Sequence, residues 1–345
     1  MGSQSDRGLS VGVIGAGGVA ELAHLPAYTN HPKIDDIVLA EIDSERRSQV
    51  GDEFGVARTY SDGMELLEAE DLDLVSVCTP PHTHERFFVA AADRGIHVYC
   101  EKPVSPDLEG AKRMARSAKD SNIITQVGYT RPYVKNYKRV LQLLENDVLG
   151  EIHRLKTIRI RPPANKSWYF DSNAAGGGIV ADQLPHMLDF YLRLFNTEPS
   201  IVDTDLRHLN SGDVEDYAEV TLSFDDVKVT TTVKWGHRPS TPGSKTRHHD
   251  NILMAESGHL RYNMERLVGT LHGNRFELKR GSSPMVKLLS LLQLWGGTRD
   301  DFQVRRVTDF VNHVSDGNHN TIAPIGRAVK VTKIIESIYE HGGGR

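Results

Sequence analysis

The sequence predicts an α/β protein, with a doubly wound parallel sheet at the N-terminal end and an α+β domain after it. Two observations predict this. Over the first 130 residues, short Val- and Ile-rich runs alternate with helical periodicity, the pattern of strands buried on both faces and joined by crossover helices. After Gly128, strand-like runs follow one another across turn signals such as Asp225-Asp226 and Ser257-Gly258, the pattern of antiparallel pairing. A chain of 345 residues is too long for one ordinary core. The reading divides it into residues 1–128 and 129–345.

The first five strands are expected at Val11–Ile14, Ile37–Ala40, Leu74–Cys78, Ile96–Cys100 and Ile123–Val127. Helical patterns cover Val19–Asn30, Ser44–Phe54, Met64–Ala69, Thr83–Arg94 and Asp107–Ser121. In the second domain, Tyr137–Glu145 and Gly177–Phe195 read as helices, and Ile152–Ile160 as a strand. Further strands are expected at Ala218–Phe224, Val227–Trp235, Ile252–Glu256, His259–Asn263 and Phe276–Lys279, with closing helices at Phe302–Val314 and Gly326–Glu340. The polar leader, residues 1–8, is expected to be disordered.

Composition removes several function classes. The net charge is −5 with Lys and Arg dispersed, unlike the basic stripe of a nucleic-acid binder. No apolar run reaches the ~20 residues of a membrane span. The nearest, Val286–Gly297, is read as a short helix packed on the protein itself. No signal peptide is visible. Cys78 and Cys100 are too few for a disulfide framework or a four-cysteine zinc site. Both lie in apolar runs and are expected to be buried free thiols in a reducing cytoplasm.

The first strand runs into Gly15-Ala16-Gly17-Gly18-Val19-Ala20, which fits G-x-G-x-x-G/A between a strand and a helix. Gly15 permits the tight turn, Gly17 clears space for a pyrophosphate against the backbone, and Ala20 lets the helix lie close to the sheet. Gly18 and Val19 complete the turn, and the helix N-terminus offers N–H groups and a positive dipole end to an anion. An acid at the end of the second strand holds a ribose 2′-hydroxyl in such sites. Glu41 directly ends that apolar run. Its carboxylate repels a 2′-phosphate, which favours NAD over NADP. Arg46 and Arg47 keep NADP open, because a nearby arginine can accept that phosphate.

Two later strand ends belong to the same cleft, since ligands of such sheets bind beyond the carboxyl ends of the strands. In "CTPPHTH", Thr79, Pro80 and His84 form a wall for the cofactor. His82 and His84 have a strand pair's spacing, and no metal is expected. In "CEKP", Glu101 and Lys102 end a buried strand. Lys102 can donate to a substrate oxygen and stabilise an alkoxide. Further on, "GGGIVADQLPHMLD" places Asp182 and His186 four apart on one helix face. A carboxylate beside an imidazole fixes its tautomer and raises its basicity, as a general base requires. His248 and His249 are read as part of a loop.

With "HLPA" at His24–Ala27 and "GYTR" at Gly128–Arg131, these motifs resemble the glucose–fructose oxidoreductase and inositol dehydrogenase family, Gfo/Idh/MocA, over nearly the whole chain. The resemblance implies a Rossmann domain, then a domain with a large, mostly antiparallel sheet through which a homodimer or homotetramer forms. It places Lys102, Asp182 and His186 at the catalytic positions and adds Tyr129, Arg131 and Trp168 as substrate contacts. It implies a nicotinamide-dependent oxidoreductase acting on a sugar or cyclitol. Two other functions stay open at this stage: an enzyme that retains NAD and oxidises its substrate transiently, and a dinucleotide-binding sensor without catalysis.

Overall fold

The computed structural model describes residues 7–163, 167–236, 248–279 and 301–343. Val286–Gly297 and most of the leader lie outside the described residues. Gly8, at the leader's end, donates its N–H to Asp35 Oδ2 at 2.7 Å.

The chain forms two compact units, residues 1–130 with 301–332, and residues 131–300 with 333–345. The first holds a six-stranded parallel sheet: β1 (Leu9–Ile14), β2 (Ile34–Ala40), β3 (Arg58–Tyr60), β4 (Leu74–Val77), β5 (His97–Cys100) and β6 (Thr125–Val127). Their order is β3-β2-β1-β4-β5-β6, so the order reverses beside β1. That is the topological switch point at which doubly wound sheets bind ligands. The crossover after β1 opens as a π-turn over Ala20–His24 and continues as helix α1 (Leu25–Thr29). Helices α2 (Ser44–Phe54), α3 (Gly63–Ala69), α4 (Pro81–Ala92) and α5 (Leu108–Asp120) supply the other crossovers. Asp43, Asp62 and Asp107 cap α2, α3 and α5 by accepting backbone N–H groups, which satisfies donors that a helix start leaves open.

In the second unit, α6 (Lys135–Glu145), α7 (Ser172–Ala175) and α8 (Ile179–Phe195) accompany an eight-stranded sheet. Its strands are β7 (Ile152–Arg161), β8 (Ser200–Arg207), β9 (Tyr217–Phe224), β10 (Val227–Trp235), β11 (His248–Ala255), β12 (Gly258–Tyr262), β13 (Arg266–Leu271) and β14 (Asn274–Lys279). The order is β14-β13-β12-β11-β7-β10-β9-β8. Every pairing is antiparallel except β7 with β10. β8 and β13 are absent from the sequence reading for different reasons. β8 alternates without a buried face, and β13 contains Gly269, which reads as a break. A Cβ at Gly269 would stand 2.3 Å from the His259 carbonyl oxygen, so the close pairing of β12 with β13 requires that glycine.

The domain division differs from the expected one. It falls at residue 130, and residues 301–332 return to the first unit, whereas the sequence reading placed the whole C-terminal part in the second domain. Helix α9 (Phe302–Ser315) packs Val307, Phe310, Val311 and Val314 into the core of the first unit. Residues after α9 then cover the edge strand β6: Val127 donates to the Ala323 carbonyl at 2.8 Å and Thr321 to the Thr125 carbonyl at 2.6 Å. An uncovered edge would invite pairing with other chains.

The deepest tie is ionic. Arg306, 1% exposed, meets Glu101 Oε1 at 2.7 Å and donates to the Tyr99 hydroxyl at 2.7 Å. Glu101 also accepts from His24 Nε2 at 3.0 Å. The carboxylate accepts only, so His24 carries its proton on Nε2. Its Nδ1 then accepts from Ser76 Oγ at 2.8 Å, and Ser76 in turn accepts from Tyr28. Burial alone would raise the Glu101 carboxyl, but Arg306 and His24 hold it down at about 2. Removing one partner of such a pair leaves a bare buried charge. Arg306→Met is therefore expected to destabilise the first unit by about 3–5 kcal/mol, measured by urea unfolding. Loss of less than about 1 kcal/mol would mean that the pair behaves as an exposed one.

Candidate active site

The first unit places the glycine turn as its sequence demands. Gly15 has φ +94°, a conformation that favours glycine, and a Cβ there would press on Cys78 and Thr79 at 3.0 Å. A Cβ on Gly18 would meet nothing within 4 Å, so this side of the turn is open. The Gly17 carbonyl accepts from Ala20 at 2.9 Å, which closes the turn through Val19. Ala20 is fully buried in the core, as close helix packing requires.

Glu41 follows the last residue of β2. Its Oε2 accepts the Ala16 N–H at 2.7 Å and its Oε1 the Asp43 N–H at 3.1 Å. The carboxylate is thus held against the glycine turn, where a ribose diol would replace backbone donors. Both neighbouring arginines are engaged by backbone carbonyls, Arg46 by the glycine turn and Arg47 by Glu41. Arg46 donates to the Ala16 carbonyl at 2.8 Å and pairs with Glu21. Arg47 donates to the Glu41 carbonyl at 2.6 Å. An open glycine face and a carboxylate fixed beside it fit a dinucleotide.

Thr79 and Pro80 follow β4. Pro80 caps α4, and Thr83 donates to Thr79 Oγ1 at 2.7 Å. His82 and His84 lie on α4 itself, which begins at Pro81 rather than near Thr83. His84 is buried, its Nε2 2.6 Å from the Thr79 carbonyl, and burial lowers its pKa. Among the described residues no cluster of His, Cys, Asp or Glu could hold a metal ion. Glu101, expected to contact the cofactor, turns its carboxylate inward to His24 and Arg306. Lys102 follows it, half-buried, at the end of β5. Tyr129 is buried in this unit.

The second unit brings Asp182 and His186 onto one helix, α8. The three glycines before α8 have a structural cause. A Cβ on Gly177 would sit 1.9 Å from the Tyr339 hydroxyl, and one on Gly178 would sit 2.1 Å from the Glu215 carbonyl oxygen. Glu215 is buried and accepts from the N–H groups of Gly178 at 3.0 Å and Val180 at 2.9 Å, and from Tyr339 at 2.8 Å. It caps a helix that has no side-chain cap of its own and complements the helix dipole. Pro185 stands inside the helix without ending it.

Asp182 is buried, accepts from Gln183 Nε2, and lies 3.8 Å from Arg161 Nη1. A hydrogen-bond chain leads on from Gln183, and the sequence reading missed it. Arg159 Nε donates to Gln183 Oε1, and Arg159 Nη1 meets His249 Nδ1 at 3.1 Å. A guanidinium only donates, so His249 accepts on Nδ1 and carries its proton on Nε2, 2.9 Å from the Tyr137 hydroxyl. Asn251 Nδ2 donates to the same hydroxyl at 3.0 Å. His248 and His249, read as loop residues, therefore open β11. The missed signal was the alternation from His249 to Asn251 and Leu253 on one strand.

Arg131 is buried with its guanidinium over the Tyr137 ring at 5.2 Å. Trp168 lies half-buried on a 3-10 turn against Tyr169, ring centres 4.1 Å apart and planes tilted by 35°. It is placed to offer an aromatic face rather than to fill the core.

Two family models match the chain. Residues 9–129 match one described as an oxidoreductase family with an NAD-binding Rossmann fold, and residues 137–250 match the GFO/IDH/MocA C-terminal domain. Among curated proteins, myo-inositol 2-dehydrogenase of Thermotoga maritima is 32% identical over 63% of this chain and 65% of its own length. Levoglucosan dehydrogenase of Pseudarthrobacter phenanthrenivorans is 29% identical over 53% of this chain and 50% of its own length. The chain thus matches between half and just under two thirds of these relatives. A crystal structure of levoglucosan dehydrogenase with NADH and levoglucosan superposes with a TM-score of 0.82 at 20% identity, covering 98% of both chains. An oxidoreductase from Agrobacterium radiobacter gives a TM-score of 0.80 at 19% identity, over 97% of this chain and 96% of its own. These likenesses establish the shared fold.

The buried imidazoles give the protein an acid limit. Burial lowers the pKa of His24, of His84 and, together with Arg131 and Arg159, of His249. Below pH about 6.5 the unfolded chain protonates each of them while the folded chain does not. Their contribution to stability is complete above that pH and is lost as pH falls, by up to about 1.4 kcal/mol per pH unit for each. The urea midpoint is expected to drop between pH 7.5 and 5.5. A flat midpoint over that interval would show that the imidazoles take up protons in the folded state.

Proposed function

This chain belongs to the Gfo/Idh/MocA oxidoreductase family, and on that premise we propose that it is an NAD-dependent dehydrogenase or reductase. Its substrate would be a secondary hydroxyl or ketone of a sugar, cyclitol or sugar derivative. The observation that carries this reading is the glycine turn, open at Gly18 and backed by the Glu41 carboxylate on Ala16. Gly15, Gly17, Gly18, Val19 and Ala20 would cradle the pyrophosphate, Glu41 the ribose diol, and Thr79, Pro80 and His84 the wall beyond. The engagement of Arg46 by the Ala16 carbonyl and of Arg47 by the Glu41 carbonyl supports NAD over NADP. The substrate class is supported by the relatives named for myo-inositol and levoglucosan.

When bound, the nicotinamide would supply the hydride acceptor or donor. The chain's own work would be proton handling and orientation. His186 would take the proton from the reacting hydroxyl as general base, and return it when a ketone is reduced. Lys102 would donate to the same oxygen and stabilise its negative charge. Asp182, one helical turn before His186, would orient the hydroxyl. Tyr129, Arg131 and Trp168 would contact the rest of the substrate, with the Trp168 ring against a sugar face. The exposed side chains of Val202 and Met254, on β8 and β11, support assembly into a homo-oligomer through the large sheet. Two buried free cysteines and the lack, among the described residues, of a helix long and apolar enough to cross a membrane support a cytoplasmic setting.

A panel of polyols and sugars, followed by absorbance of the reduced cofactor with NAD and NADP in parallel, tests the reading. Turnover is expected with NAD, and faster turnover with NADP would contradict the role of Glu41. His186→Ala is expected to lower kcat by about 10²–10⁴ while NAD binding, measured by thermal shift, is retained. Lys102→Met is expected to lower kcat/KM by about 10²–10³. Unchanged kinetics in both variants would refute the catalytic assignment.

A further inference from the structure

The second unit holds a part-buried cluster of arginines beside Asp182. Arg159 is the centre. Its two partners, Gln183 Oε1 and His249 Nδ1, are neutral acceptors, and it forms no ion pair among the described residues. The charged groups acting on it are Arg131 and Arg161, which repel it, and Asp182, which attracts it. Burial, then Arg131 and Arg161, push its pKa down to about 9, with Tyr137 and Asp182 opposing.

Placing a guanidinium in a poorly solvated site without a carboxylate is costly. This one is also oriented. Nε and Nη1 are fixed by Gln183 and His249, and neutral His249 is itself fixed by Tyr137. Nη2 has no protein partner among the described residues and is not sealed from solvent. A fixed guanidinium with one free donor edge suits a carboxylate or phosphate oxygen.

We propose that Arg159, with Arg131 and Arg161, binds an anionic group on the substrate, so that the molecule presented to Asp182 and His186 is a sugar or cyclitol acid or a phosphorylated sugar. This rests on the dehydrogenase reading for its reaction but not for its binding. Asp182 would supply the negative charge at the reacting end, and Arg159 the positive charge that selects the substrate.

Calorimetric titration of the full chain with D-glucose, D-glucuronate and D-glucose 6-phosphate, in the presence of NAD, tests it. At least one anion is expected to bind about tenfold or more tightly than glucose, with the advantage shrinking as salt rises. Tighter glucuronate identifies a carboxylate site, and tighter glucose 6-phosphate a phosphate site. Arg159→Met should abolish the advantage and Arg159→Lys should keep part of it. If Arg159→Met does not fold, Arg161→Met and the salt dependence of the unaltered protein carry the same test. Equal binding of glucose and both anions, absence of anion binding, or an advantage that survives in a folded Arg159→Met would overturn the proposal. Parallel NADH measurements separate the two readings. Anion binding without turnover sinks the dehydrogenase, and turnover of neutral sugars without anion preference sinks only the anionic substrate.

Discussion

The buried pair of Arg306 and Glu101 is the constraint on which the first unit depends. It joins residues 205 positions apart in the chain and places a segment from beyond the second unit's sheet on the sheet of the first. Gly128 shows how tightly the pair is enclosed, since a Cβ there would stand 2.4 Å from Glu101 Oε2 and 2.7 Å from Arg306 Nη1. The pair also determines what "CEKP" is for. Glu101 faces inward to Arg306 and His24 and anchors the end of β5, which fixes the backbone at the residue after it, Lys102.

The second unit solves the same problem differently. Helix α8 carries Asp182 and His186, and its start is fixed by Glu215, which replaces the missing cap and binds two backbone N–H groups. Gly177 and Gly178 are the consequence: no side chain fits between the helix start, Glu215 and Tyr339. The glycines that appear in sequence as a loop before a functional helix are packing residues. They set where Asp182 begins its turn, its N–H on the Gly178 carbonyl.

Most strands of both sheets were legible in the sequence, because strand burial leaves a clear hydrophobic period and the glycine turn has a strict geometry; β3, β8 and β13 were not. The course of the chain was less legible. Nothing in the amphipathic pattern of Phe302–Val314 says which core it enters, since the deciding residue, Arg306, is a charge on a buried face and reads as solvent-exposed. The site was legible where spacing encodes it, as for Asp182 and His186 on one helix. It was illegible where β-strand neighbours complete it. Arg159, Gln183, His249 and Tyr137 come from four elements, and only the register of β7 with β11, which sets Arg159 opposite His249, brings them into one chain of hydrogen bonds.

The two buried networks differ in a way that bears on function. In the first unit the cation meets a carboxylate, and Glu101 is held ionised by Arg306 and His24. That network is closed, and structure suffices to explain it. In the second, Arg159 meets an amide oxygen and an imidazole nitrogen, while two more arginines raise the local potential. Neutral acceptors orient a guanidinium without neutralising it. An arrangement that fixes direction and leaves charge uncompensated stabilises the fold poorly, because isosteric apolar packing would serve at least as well. Its physical advantage appears only when an anion arrives, since the donor is already oriented and the field already present.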